Sequence, residues 1–273
     1  MRCAHERRHA DASTSMEEFT MATERDQVRS VQRAFEVLAV FGPDRPTLNL
    51  RQAAEATGFD RAVVRRYLLT LEQLGYLARM PGDSFRLRPK ILTLAWNYLG
   101  SDPLAAASEQ PLRALRDETG ESCAVTVLSG ATACFVGVAN AETGLSIRLT
   151  LGNELPCYCT AMGRTVLSGL PSEQVAELVR QSPRPRHTNR TPTEVDWIIE
   201  RVATVAERGW DVADEELEIG VRSVAVRIPR PAHLAPAALS VSAPTARCSV
   251  ADLRGRVRGL AQESAERIAA DLG

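Results

Sequence analysis

Asn49 to Leu77 reads NLRQAAEATGFDRAVVRRYLLTLEQLGYL. Apolar residues at helical spacing (Leu50, Ala53, Ala54) stop at Gly58 and resume after Asp60 as Val63, Val64, Tyr67, Leu68, Leu71 and Leu74. Asp60 is suited to capping a helix, because its carboxylate can accept a backbone N–H that the first turn leaves unpaired. The pattern predicts two short helices with a tight turn between them, the second carrying Arg61, Arg65 and Arg66 away from its apolar stripe. A cationic helix displayed by a packed partner is a helix-turn-helix, a unit whose usual seat is the DNA major groove.

On the N-terminal side, Ser30 is read as the cap of a supporting helix whose stripe is Val31, Ala34, Phe35, Leu38 and Phe41, ended by Gly42 and Pro43. On the C-terminal side, YLARM, the turn PGDS and FRLRP read as a two-stranded hairpin with Arg79, Arg86 and Arg88 at its edges. Such a wing commonly lies against phosphates. Pro89 suits the first turn of a helix through Ile91, Leu92, Leu94, Ala95 and Leu99. That helix is apolar around most of its circumference, which points to pairing with another chain.

The rest of the chain has a different texture. A helix over Pro103 to Gly120 leads to alternating segments at Cys123 to Leu128, Ala133 to Val138 and Leu145 to Leu149, read as strands with Gly-containing turns. Helices follow at about Ala161 to Leu170, Ser172 to Arg180 and Thr193 to Arg208. Strands near Arg222 to Ile228 and Ala237 to Ala243 precede a closing helix from about Val250. This order implies an α+β sheet with helices on one side. The basic stretch PRPRHTNR (Pro183 to Arg190) is read as a surface connection rather than a second nucleic-acid contact. The expected limits are a disordered leader over 1–27, in which Met16 or Met21 could be the true start, a winged helix-turn-helix domain over 28–89, a linker helix over 90–102 and a second domain over 103–273.

Length and charge agree with two parts, since 273 residues suit about two domains. Between Arg25 and Lys90 there are 12 Lys and Arg against 7 Asp and Glu, and elsewhere 21 against 27, so a basic segment is fused to an acidic one. No apolar run approaches the roughly 20 residues that span a bilayer, and the leader has no apolar core of a signal peptide. A cytoplasmic protein without membrane partners is expected. Six scattered cysteines (Cys3, Cys123, Cys134, Cys157, Cys159, Cys248) suit reduced thiols.

Cys157 and Cys159 raise two rival chemistries. Their C-x-C spacing differs from that of structural zinc sites and no nearby His or Cys pair completes a set of four, so no metal or other cofactor is expected. As a nucleophile, Cys159 could have a lowered pKa just before a helix start. None of His5, His9, His187 and His233 sits in a base motif, however, so catalysis is not expected. Two classes stay open: a ligand-controlled DNA-binding regulator, or an enzyme or small-molecule sensor whose winged module serves protein contacts. The cluster of Arg61, Arg65 and Arg66 beside Arg86 and Arg88 favours the first.

With these residues in hand, the chain resembles the IclR family of bacterial transcription regulators. DRAVVRRYLLTLEQLGYL and FRLRPKILTL carry the likeness in the head; LPCYCTAMGRTVLSGLP, GWDVADEELEIGVRSVAV and AALSVSAP carry it further on. RDQVRSVQRAFEVL and the TAMGR and LRPKIL wording are closest to the branch that governs aromatic-acid catabolism, such as the protocatechuate and β-ketoadipate regulators. The resemblance implies a winged DNA-binding domain, a dimerising linker helix, a GAF-like α+β effector-binding domain, and a homodimer or homotetramer that represses or activates from a double-stranded DNA operator. DNA contacts are expected from Arg51, Arg61, Arg65, Arg66, Arg86 and Arg88.

The resemblance also implies a small carboxylate effector held by Leu155, Cys159, Ala161, Met162, Val221, Ser223, Ser240 and Ser242. Thr160 could cap a helix from Ala161 and leave the N–H groups of Ala161, Met162 and Gly163 aimed at the ligand, an anion seat that needs no Arg or Lys. Ser240 and Ser242 alternate along a strand and so face one way. The chain departs from the pattern at Ala213, where many relatives carry Asp or Ser, and neighbouring Asp214 is the candidate replacement. It departs again at RIPRPAHLAPAAL, where Pro229, Pro231 and Pro236 cannot donate ladder hydrogen bonds. An irregular or shortened hairpin, with an altered pocket, is expected there.

Overall fold

A computed structural model describes residues 28–142 and 147–272. The expected leader, and Leu145 and Ser146 of one expected strand, lie outside the described residues. The chain divides into two compact units between Ala95 and Trp96, which falls inside the expected linker helix.

In the first unit, α1 (Arg29–Ala39) precedes β1 (Leu48–Asn49), α2 (Leu50–Thr57) and α3 (Arg61–Gln73). The wing is β2 (Leu77–Met80) and β3 (Ser84–Leu87), and β1 adds to it in the order β1-β3-β2. Ser30 does not cap α1: the cap position is Val28, without a side-chain bond, and Ser30 lies in the first turn. The α2–α3 turn matches the sequence reading. Gly58 adopts the left-handed conformation (φ 70°), and Asp60 accepts the Ala62 N–H at 2.7 Å. Asn49 and Gln52 form a reciprocal capping box on α2. Val37, Leu48, Ala53, Val64, Leu68, Leu71, Leu77 and Phe85 make the core. Each large side chain among them contributes about 1.5–3 kcal/mol on burial.

Pro89–Ile91 forms a single 3₁₀ turn before α4 (Leu92–Ser101). No residue of α4 is buried, and Leu92 and Trp96 are 63% and 74% exposed.

The second unit is built on an antiparallel sheet of order β6-β5-β4-β9-β8-β7. Its elements run α5 (Leu104–Thr119), β4 (Ser122–Ser129), β5 (Thr132–Ala139), β6 (Glu154–Pro156), α6 (Ala161–Leu167), α7 (Ser172–Gln181), α8 (Val195–Arg208), β7 (Trp210–Asp214), β8 (Val221–Ile228) and β9 (Ala237–Pro244). α9 (Val250–Asp252) then continues through a π-helical stretch, Leu253–Val257, into α10 (Arg258–Leu272). The third expected strand is displaced. Residues 147–149 are irregular, and the edge strand is β6, while β7 was not anticipated.

Helices cover both faces of this sheet rather than one. Val224, Val226, Leu239 and Val241 pack with α5 and α10, while Ala124, Ala225 and Ala238 pack with α6, α7 and α8. Consecutive residues of β8 and β9 are buried because each face has its own cover. The second face is paved with small side chains, which lets the short α6 sit close against it. Gly163 completes that approach: a Cβ there would lie 2.2 Å from the Cys157 Cα.

The proline-rich stretch leaves the β8–β9 hairpin intact. The ladder runs from Val221↔Pro244 to Ile228↔Ala237 with a full register, and Pro229, Pro231 and Pro236 all fall in the connection. That connection is tied down elsewhere, by Arg230 on Asp102 at 3.0 Å and by Pro236 against Gly169.

Candidate nucleic-acid interface and ligand cavity

Arg61, Arg65 and Arg66 are exposed on α3, and Arg86 and Arg88 are exposed at the wing. Among the described residues, none of the five has an acidic partner within 4 Å. Arg61 and Arg65 are one turn apart and share a face. Arg65 borders a depression between α3 and the wing, beside Arg79, Asp83 and Phe85. Arg66 turns the other way and lines a groove next to Phe35 of α1. Arg51 is exposed but bonded to Glu55 at 3.1 Å. Arg79 is engaged by Glu72 at 3.3 Å and Asp83 at 3.5 Å, and Lys90 donates to the Leu74 carbonyl at 2.8 Å, so these two cations brace the head itself. Arg61, Arg65 and Arg66 thus stand on α3, Arg86 on β3 and Arg88 just after it, all without an acidic partner among the described residues.

The second unit holds a cavity of about 200 Å³ at the start of α6. Strand register builds its floor. Ala213, Ser223, Ser242 and Ser122 are cross-strand partners in one row over β7, β8, β9 and β4. Ser223 and Ser242 line the cavity with Leu155, Cys159, Met162 and Val221, so six of the eight expected effector residues converge there. Ser240 does not reach it: it lies one row deeper, beneath α6, with its hydroxyl 3.5 Å from the Ala124 carbonyl. Ala161 is spent in the core that surrounds α6. The Gly163 N–H is not free either, because it donates to the Thr160 hydroxyl at 3.1 Å. The 229–236 connection joins the opposite ends of β8 and β9 from Ser223 and Ser242, so the prolines leave the cavity alone.

Several lining residues were not anticipated, among them Phe135, Arg148, Asn153, Glu216, Leu217 and Glu218. Glu216 belongs to a buried ion network. Arg164 on α6 gives its Nε–H to Asp211 at 2.6 Å, binds both carboxylate oxygens of Glu216 at 2.6 and 3.3 Å, and reaches the Tyr158 and Val212 carbonyls. Arg201 and Arg208 close on the other Asp211 oxygen at 2.6 Å. Burial alone would lower the Arg164 pKa, but Asp211 and Glu216 carry it upward. Burial raises the Glu216 pKa, with Arg164 pulling the other way. The sequence signal was present, since an Arg inside an apolar helix start and an Asp inside an apolar strand must find each other if both are buried. Asp214 does not replace the missing group at Ala213. Adjacent strand residues face opposite ways, and Asp214 pairs with Arg222 at 2.9 Å and with Arg190.

Desolvation pushes the Cys159 thiol up to about 11 and the Cys157 thiol higher still. Cys159 is therefore a neutral thiol rather than the activated nucleophile that a helix start could make. No group of three or more metal-ligating side chains occurs among the described residues. Also among the described residues, no helix is long and apolar enough to cross a membrane.

Residues 30–81 match the IclR helix-turn-helix domain, and residues 96–270 match the bacterial transcriptional regulator IclR C-terminal domain. The chain belongs to the IclR family. As a member it is a DNA-binding regulator of transcription and not an enzyme, which settles the choice between the two classes. It is similar to the Pca operon regulatory protein of Acinetobacter baylyi, 35% identical over 89% of this chain and 88% of that protein. Among solved structures it resembles a putative transcriptional regulator from Rhodococcus sp. RHA1, with a TM-score of 0.76 and 34% identity over 90% of this chain and 98% of that one. An IclR homologue from Microbacterium hydrocarbonoxydans, complexed with 4-hydroxybenzoate, shares the fold at a TM-score of 0.75 and 20% identity, covering 89% of this chain and 98% of that one. Arg61, Arg65 and Arg66 fall within the matched helix-turn-helix domain, and Thr160, Ser223 and Ser242 fall within the matched C-terminal domain.

Proposed function

We propose that this regulator binds a small organic acid, aromatic by preference, above the Ser223–Ser242 pair, and that occupancy changes its grip on an operator. The cavity's make-up carries the reading. Phe135, Leu149, Leu155 and Met162 form apolar walls, and Asn153, Ser223 and Ser242 converge as a few polar groups. A dry cavity of about 150 Å³ already takes benzene, so about 200 Å³ suits one ring with its carboxylate. A second cavity of about 120 Å³ beside Cys157 is almost wholly apolar and offers little to orient an acid. The Pca operon regulatory protein and the 4-hydroxybenzoate complex support the aromatic class.

Arg61, Arg65 and Arg66 with Arg86 and Arg88 meet the duplex, and Arg51 contributes less because Glu55 holds it. A second copy of the chain covers Leu92, Leu94, Trp96 and Tyr98 of α4, making a homodimer in the cytoplasm whose two heads match half-sites about one helical turn apart or a multiple. The acid favours one arrangement of that dimer, and α4 passes the choice to the spacing of the heads.

Calorimetric titration with benzoates, paired with a mobility shift on the DNA flanking the protein's own gene, tests this. An acid should bind, and operator affinity should change by threefold or more when it does. Ser223→Ala and Ser242→Ala should each weaken the acid by about tenfold, the cost of one lost hydrogen bond. Absence of acid binding, or binding that leaves operator affinity unchanged, overturns the reading.

A further inference from the structure

Every N–H of Arg164 is already used: Nε on Asp211, the two amino groups on Glu216, Tyr158 O and Val212 O. The buried cation nearest the cavity therefore has no donor left for a ligand's carboxylate. What it presents to the cavity instead is Glu216, which lines the wall and keeps 14% of its side-chain surface. Arg164 takes one lone-pair direction on each Glu216 oxygen, and a carboxylate has about four in all. Two directions remain for acceptance.

Glu216 is held from both ends, so its carboxylate is a fixed feature of the wall. Its own carbonyl accepts the Thr191 hydroxyl at 2.6 Å, and the carbonyl of Glu215 accepts Thr188 at 2.6 Å. Glu215 sits in the left-handed region (φ 58°) and is locked by the Gly220 N–H on its side chain at 2.9 Å. Ala213, at the β7 end of the Ser223–Ser242 row, also lines the cavity, and its single methyl leaves that end of the floor low.

We propose that Glu216 is a specificity-determining residue that accepts a hydrogen bond from a hydroxyl on the ligand, remote from the carboxylate, and so selects hydroxylated acids over their unsubstituted counterparts. This rests on the reading of the cavity as an acid site. The ligand's carboxylate is repelled by Glu216 and lies toward Ser242, Asn153 and the start of α6, which orients the ring. A ring without a hydroxyl leaves an ionised acceptor facing hydrocarbon. A site built around such a hydrogen bond rejects the lacking analogue far more strongly than it rejects a missing methylene.

The test is calorimetry on the full chain with benzoate, 4-methoxybenzoate, 3-hydroxybenzoate, 4-hydroxybenzoate and 3,4-dihydroxybenzoate. At least one hydroxylated acid should bind fivefold or more tightly than both benzoate and the methoxy acid, which has an oxygen but no donor. A smaller ratio overturns the proposal. Glu216→Leu should bring the ratio below fivefold while Glu216→Gln, which keeps an acceptor oxygen, should restore part of it; an undiminished ratio in Glu216→Leu assigns selectivity elsewhere and overturns the role of Glu216. If a variant does not fold, as judged by its melting curve, the wild-type ratio against the methoxy acid still decides. If no acid of the series binds at all, the acid-site reading itself falls, an outcome distinct from equal binding of all five.

Discussion

Arg164 and Asp211 meet at 2.6 Å with both side chains wholly buried, tying the helix at the cavity to the edge strand β7. Two charges withdrawn from water are tolerable only because each is saturated with partners, and breaking one side exposes that cost. Arg164→Met should lower stability by about 3–5 kcal/mol, read from urea unfolding, since Glu216 would lose its only cation within bonding range among the described residues. Arg164→Lys should recover little of this, because an ammonium cannot bind Asp211 and grip Glu216 through two nitrogens at once. A loss below about 1 kcal/mol would show that water replaces the guanidinium.

On the head, Arg65 and Arg66 are neighbours in sequence but face different surroundings. Arg65→Ala should weaken operator binding and reduce the salt dependence of affinity by about one phosphate contact or relax one base preference. Arg66→Ala, beside the α1 groove, should cost less. Both should leave calorimetric acid binding unchanged, so an equal loss of acid affinity would point to a collapsed fold instead.

Gly163→Ala should destabilise the second unit by about 1–3 kcal/mol or more. The added methyl meets the Cys157 backbone at 2.2 Å and the Thr160 hydroxyl at 2.5 Å, neither of which is the flexible end of a side chain. The check is thermal unfolding, followed by acid titration at a temperature where the variant is folded.

Cys159 gives a pH dependence with a defined sign. Burial raises its pKa from 9.0 to about 11, so the thiol favours the folded state below pH 9 and withdraws that support as pH climbs toward 11. The withdrawn amount is roughly 2 to 3 kcal/mol at 1.4 kcal/mol per pKa unit. Cys159→Ala should therefore lose less stability than the wild type between pH 9 and 11 in urea titrations. Parallel curves would mean that the thiol ionises in place.

Much of the fold was written locally. Gly58 and Asp60 mark the helix turn because a left-handed φ and a capping carboxylate act over a few residues. The strands β8 and β9 are as legible, since their β-branched and small residues form long apolar runs. The prolines of 229–236 misled because a proline forbids a ladder bond only where the chain is in the ladder, and all three lie in the connection. Ser30 misled in a similar way, as a good cap residue that stands second in the helix rather than before it.

The linear order of residues determined the winged head, its cationic helix, the α6 start and the serines of β8 and β9, because spacing and residue type act there within one or two turns or along one strand. Only the tertiary structure decided that Ser242 reaches the cavity while Ser240 lies under α6, and that Arg164 belongs to Asp211 and Glu216. These outcomes depend on the register of four strands and on which helix covers which row. Long-range packing sets both, and no local preference encodes either.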